Sequence, residues 1–166
     1  MSELTTERLH LRPLRATDLD AILAIYHDPR AEKWIGPHTR EEVAAELEFY
    51  ARHEAEHGWA PLAVEDRASG ALIGDCGLVP LELRGPEIEL MYDLDPDYWG
   101  RGLASEAAGA VMADAFTITG ATTIIAVVRA DNPASIRVLE KTGFRPAGTT
   151  FAYDEELLRY ERSRAD

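Results

Sequence analysis

Residues 92–107 constrain this chain more than any other segment. A strand-like run ends at Leu94, Asp95-Pro96 breaks it, and Trp99-Gly100-Arg101-Gly102-Leu103-Ala104-Ser105 leads into a helix that runs to about Phe116. Strand, glycine-rich loop, then helix is a unit of α/β architecture. The first turn of such a helix leaves its N–H groups without intrahelical acceptors, and they form a ready seat for an anion. Gly100 and Gly102 let the backbone approach that anion with no Cβ in the way. A pyrophosphate is the natural guest, and a plain tight turn is the competing reading.

The remaining residues build one domain, 1–166, around that unit. Leu9-His10-Leu11-Arg12 alternates as a half-buried strand does. Thr17 or Asp18 opens a helix with Leu19, Ile22, Leu23 and Tyr26 on one face, and Asp28-Pro29 reads as its stop. Trp34-Ile35-Gly36-Pro37 is expected as an apolar loop. Thr39 with Glu42 predicts a capping box for a helix that ends at Gly58. Strand-like runs at 59–66, 71–81 and 86–95 are spaced as an antiparallel meander. The β-branched run 122–128 predicts a fully buried strand. Asn132-Pro133 opens a short helix ending near Lys141, and 144–150 and 156–161 close the chain as strands.

Composition narrows the partners. The net charge of −13 argues against gripping a nucleic-acid backbone, which needs clustered Lys and Arg. It likewise disfavours an anionic membrane surface. With one cysteine, Cys76, no intrachain disulfide forms, which suits a reducing cytoplasm. The opening residues lack the apolar region of a signal peptide, and no run of roughly 18 apolar residues is present. A cytoplasmic protein is the expectation.

Three further patterns bear on chemistry. Asn132-Pro133-Ala134-Ser135 puts a hydroxyl in the first turn of a helix that follows a buried strand, where α/β sheets bind ligands. His53-Glu54-Ala55-Glu56-His57 satisfies H-E-x-x-H, the signature of zinc hydrolases. Gly58 ends that helix directly after His57, so the second imidazole sits in its last turn, and zinc hydrolysis is the remote alternative. Gly100-x-Gly102-x-x-Ser105 lacks the third glycine of a dinucleotide fingerprint and follows a meander rather than the first strand of a βαβ unit.

Together these segments resemble the GNAT superfamily of N-acetyltransferases and, within it, the RimJ/RimL-like branch. The resemblance rests on Thr6-Glu7-Arg8-Leu9-His10-Leu11-Arg12-Pro13-Leu14, on residues 89–107, and on Asn132-x-x-Ser135 with Lys141-Thr142-Gly143-Phe144, and it spans nearly the whole chain. It implies a mixed, mostly antiparallel twisted sheet of six to seven strands flanked by four helices. That sheet is splayed between the fourth strand, 86–95, and the fifth, 122–128. Trp99 stands where the family's phosphate motif has Gln or Arg, although the amides rather than that side chain hold the pyrophosphate.

The implied function is transfer of an acetyl group from acetyl-CoA to a primary amine, with no metal. The acceptor is a protein N-terminal α-amine, as of a ribosomal protein, or a small-molecule amine; a fold that binds CoA or protein without catalysis is the alternative. The implied cofactor contacts are Tyr92, Asp93 and Leu94 along the pantetheine, Trp99 through Ser105 (Gly100, Arg101, Gly102, Leu103 and Ala104 between them) at the pyrophosphate, and Asn132, Ser135 and Arg137. Ser135 is the first choice of proton donor to the leaving sulfur, with Tyr153 in reserve, and Glu89 matches the family's base. Strand alternation places Glu89 on one face with Met91 and Asp93, so its role depends on that face looking toward the acceptor. Tyr26 and Trp34 are the candidate acceptor contacts, and dimers are frequent in the branch.

Overall fold

The computed structural model describes residues 1–166. Eight strands form one sheet in the order β1-β2-β3-β4-β5-β6-β8-β7. They are β1 (Leu4–Thr5), β2 (Leu9–Pro13), β3 (Leu62–Asp66), β4 (Leu72–Pro80), β5 (Ile88–Leu94), β6 (Thr123–Val128), β7 (Arg145–Ala152) and β8 (Glu155–Ser163). Five helices flank it: α1 (Leu19–Tyr26), α2 (Pro29–Ile35), α3 (Arg40–His57), α4 (Leu103–Thr119) and α5 (Pro133–Lys141). Every neighbouring pair is antiparallel except β5 and β6, which run parallel and share a single rung, Glu89 opposite Ile125. Beyond that rung the two strands diverge, which is the expected splay.

The mixed α/β architecture and the mostly antiparallel sheet agree with the sequence reading. The element counts differ in two places. The two-residue β1 is an additional edge strand, so the splay falls between β5 and β6. The expected loop at Trp34-Ile35 is instead the end of a helix, α2. Pro29, read as a stop, occupies its first turn, where a missing N–H costs nothing, and Asp28 caps it by accepting from Arg30 N at 2.9 Å.

Two apolar clusters sandwich the sheet. On one face, α4 lays Leu103, Ala107, Ala108, Val111, Met112 and Ala115 against Leu11, Val64, Cys76, Leu78 and Leu90. The small alanines recur at three- and four-residue spacing, so the helix lies close to the strands. On the other face, Tyr26 of α1 and Val43, Leu47 and Tyr50 of α3 cover Ala63 and Val79. The predicted capping box starts α3: Thr39 Oγ1 accepts from Glu42 N at 3.2 Å, and Glu42 Oε2 accepts from Thr39 N at 2.8 Å.

A bulge in β4 decides which residues face which cluster. Val64 pairs with Gly74 but Glu65 with Leu72, leaving Ile73 as the extra residue. A Cβ at Gly74 would stand 2.0 Å from Asp93 O, so only glycine permits this approach of β4 to β5. After the bulge Asp75 shares the α1–α3 face with Val79, directly across from Asp93.

Candidate active site

The loop between β5 and α4 folds largely on itself. Asp95 Oδ1 accepts from Asp97 N at 2.9 Å and fixes the turn after the strand. Trp99 Nε1 donates to Leu94 O at 2.9 Å, and Arg101 donates to Asp97 O at 3.1 Å while lying over the Tyr98 ring. Gly100 and Gly102 both adopt left-handed conformations, φ 74° and 76°. A Cβ at Gly100 would meet nothing within 4 Å, so the loop's outer side is open. Glu106 is the fourth residue of α4, and its N–H reaches Gly102 O at 3.1 Å; the amides of Leu103, Ala104 and Ser105 precede it at the helix start.

One residue that the sequence did not single out holds this loop. Arg8 Nη1 donates to Arg101 O at 2.8 Å, and its Nε donates to Glu106 Oε2 at 2.7 Å. Glu106 also accepts from Thr6 Oγ1 and Arg8 N, so the first turn of α4 is tied to the start of β2. Arg8, Arg67 and Arg101 border a groove beside Gly102. Local spacing carries no sign of this, because Arg8 lies 93 residues from Arg101. Glu7 and Asp66 border the same groove. Arg8 is engaged by Glu106, and Arg67 by the Thr6 and Glu7 carbonyls. It is therefore the open amides and the two left-handed glycines that fit the phosphates of a CoA-type ligand.

Across the splay, Asn132 caps α5 by accepting from Ser135 N at 3.2 Å. This uses Asn132 Oδ1 and leaves its amide nitrogen available. Tyr92 extends from β5 on the α4–α5 side, donates to Ser135 O at 3.0 Å, and lies 2.8 Å from Ser135 Oγ. Burial pushes the Tyr92 phenol above its ordinary value, so it stays protonated at neutral pH. The phenol was not among the expected roles of Tyr92, which concerned its backbone. Arg137 is exposed on α5.

Glu89 faces the α1–α3 side with Met91 and Asp93, as strand alternation predicts. It is 6% exposed, and burial pushes its carboxyl up to about 7 against the partial opposition of a 2.5 Å hydrogen bond from Tyr153 Oη. Tyr153 thus serves Glu89. It reaches that position because Tyr153 and Asp154 form the two-residue turn between β7 and β8 with φ of 53° and 59°, the geometry of a type I′ hairpin. Glu82 secures the turn by accepting from Tyr153 N at 2.9 Å.

Tyr26, on the same side of the sheet, is buried and donates to Asp75 Oδ2 at 2.8 Å. Trp34 is half-buried at the end of α2, 5.8 Å from the Arg129 guanidinium, which itself pairs with Asp131 and Glu155. His53 packs between the rings of Phe49, His57 and Trp59, and burial lowers its affinity for a proton. No group of three or more His, Cys, Asp or Glu side chains forms a metal-ligating cluster there.

A splayed sheet with an open amide cradle on one side and a buried carboxylate on the other is the arrangement that the resemblance to the GNAT superfamily implies. The family model described as "Acetyltransferase (GNAT) domain" matches residues 8–145, and the chain belongs to that family. An uncharacterized N-acetyltransferase of Bacillus subtilis, YoaA, is 31% identical over 156 residues, covering 90% of this chain and 86% of its own. The crystal structure of an acetyltransferase from Agrobacterium tumefaciens superposes with a TM-score of 0.86 at 29% identity, covering 99% of this chain and 95% of that one. The fold is shared with the aminoglycoside acetyltransferase AAC(6')-Ib in complex with coenzyme A, at a TM-score of 0.78 and 20% identity over 95% of each chain.

Proposed function

We propose that the protein transfers the acetyl group directly to a primary amine, with Glu89 as base and Ser135 as donor to the leaving sulfur. The run 6–14 and the Asp95-Pro96-Asp97-Tyr98-Trp99-Gly100 loop support a place in the RimJ/RimL-like branch. A protein α-amine and a small-molecule amine are both acceptors of this kind. The buried lone thiol, Cys76, suits a cytoplasmic setting.

The observation that carries this reading is Glu89. It is buried at the rung where β5 and β6 last pair, and it is poised near neutrality. Bound acetyl-CoA supplies the thioester, whose C–S bond breaks as the amine nitrogen bonds to the carbonyl carbon. Glu89 takes the ammonium proton through a water, leaving the nitrogen lone pair free to attack. The β5 backbone freed by the splay around Tyr92 polarises the carbonyl. Ser135 Oγ passes a proton to the departing sulfur and is reprotonated from solvent. The Tyr92 phenol, which stays protonated, holds Ser135 through its carbonyl and hydroxyl.

The test is the pH dependence of kcat/KM for the amine. It is expected to rise through about 7 as Glu89 loses its proton. Glu89→Gln is expected to remove this limb and lower the rate ~10²–10⁴-fold, the range of general base catalysis. An unchanged profile in Glu89→Gln would remove Glu89 from the mechanism.

A further inference from the structure

The α1–α3 face holds a second carboxylate group that the transfer of an acetyl group does not use. Asp75 and Asp93 are direct partners across β4 and β5, so their Cβ atoms stand about 5 Å apart on one face. Asp75 is 1% exposed. Its Oδ2 accepts from Tyr26, but its Oδ1 is buried with no hydrogen-bond partner. Burial raises both carboxyls above their ordinary values, reinforced at Asp75 by repulsion from Asp93 and at Asp93 by repulsion from Glu46.

The groups packed around the pair leave it short of positive charge. From α3 come Glu46, a further carboxylate, and the Tyr50 hydroxyl. From the loop before α3 comes His38, whose imidazole is raised to about 9, chiefly by Glu46 at 3.6 Å. His38 is therefore charged at neutral pH, and it offsets part of the negative charge on Asp93. Neither aspartate pairs with a lysine or arginine, and Asp75 receives only the Tyr26 hydroxyl. Two facing carboxyls in such a place hold on to a proton rather than carry two charges, and a cation that arrives to meet them takes the proton's place.

We infer that the acceptor carries a second, positively charged nitrogen, and that Asp75 Oδ1 with Asp93 is its seat. The substrate class is a small polyamine. This rests on the amine-acetyltransferase reading above, since the reacting nitrogen belongs beside Glu89. Glu89 and Asp93 lie four residues apart on the same face of β5, a Cα separation of roughly 13 Å at the rise of a strand. A flexible amine with charged nitrogens at its two ends bridges that interval, with one nitrogen deprotonated for attack and the other held as an ammonium. A monoamine or a peptide α-amine presents no second cation to the pair.

The experiment compares spermidine with n-butylamine and an alanine-initiated peptide, following thiol release from acetyl-CoA. Wild type is expected to use spermidine with a kcat/KM at least ~100-fold above butylamine. Asp75→Asn is expected to shrink that ratio at least ~10-fold through the KM for the amine, leaving the KM for acetyl-CoA unchanged. Equal use of both amines by wild type, an equal effect of Asp75→Asn on both, or turnover of the peptide alone overturns the inference. Calorimetric titration of spermidine into the CoA-loaded wild type reads the seat without turnover and without a variant. Binding of spermidine but not butylamine, with no thiol released, upholds the seat and overturns acetyl transfer. Thiol release from butylamine with no preferential binding of spermidine does the reverse.

Discussion

Glu89 shows how one side chain links stability to chemistry. Its folded value of about 7 lies above the ordinary 4.5, so ionising it opposes folding. Its contribution to stability is intact at acid pH and is lost as pH rises through about 7, a cost on the order of 3 kcal/mol. Glu89→Gln removes that cost. The melting temperature of the variant relative to wild type is expected to become more favourable between pH 5.5 and 8.5; a constant difference would show that Glu89 does not titrate as a buried group. Ser135 Oγ and the Tyr92 phenol lie 2.8 Å apart. Ser135→Ala and Tyr92→Phe are each expected to lower kcat ~10-fold or more, with little change in the KM for acetyl-CoA. Combined, they should cost less than the product of the two, since Tyr92 acts by holding Ser135 in place. Strictly multiplicative losses in steady-state kinetics would separate them.

The loop between β5 and α4 was legible because its signals are local: Asp95-Pro96 ends a strand, and Gly100 and Gly102 allow the left-handed turns that start a helix. Gly102→Asp is expected to weaken CoA binding by ~100-fold or more in calorimetry, because it forces a side chain into φ 76° and sets a negative charge beside the open amides. Unaltered affinity would move the phosphate site elsewhere. Asn132 as a cap for α5 was equally local. What stayed hidden depends on register or distance. The Asp75–Asp93 pair follows from a bulge at Ile73-Gly74 that shifts which β4 residues face α1 and α3. Arg8 reaches the loop from the other end of the chain. Tyr153 meets Glu89 only through the hairpin turn that joins β7 to β8. Helix α2 escaped notice because Pro29 ends one helix and begins the next, and a proline gives the same signal for both.

Across the molecule, the sheet divides the labour. One face carries α4 and α5 with the amide cradle, the three arginines and the Tyr92–Ser135 pair. The other carries α1 and α3 with Glu89, Asp75 and Asp93. The splay between β5 and β6 is where the two meet. The net charge of −13 opposes an anionic ligand such as CoA, so on the proposed reading its binding rests on the local amides rather than on the overall field. The same excess favours a cationic acceptor on the opposite face. No helix is long and apolar enough to cross a membrane. The decisive measurement pairs free-thiol release from acetyl-CoA with mass spectrometry of the amine in the same reaction. Thiol and acetylated amine are expected to appear together in equal amounts and only when both substrates are present. Tight CoA binding with no amine-dependent thiol release, across primary amines of every class, would contradict acetyl transfer and leave a CoA-binding fold.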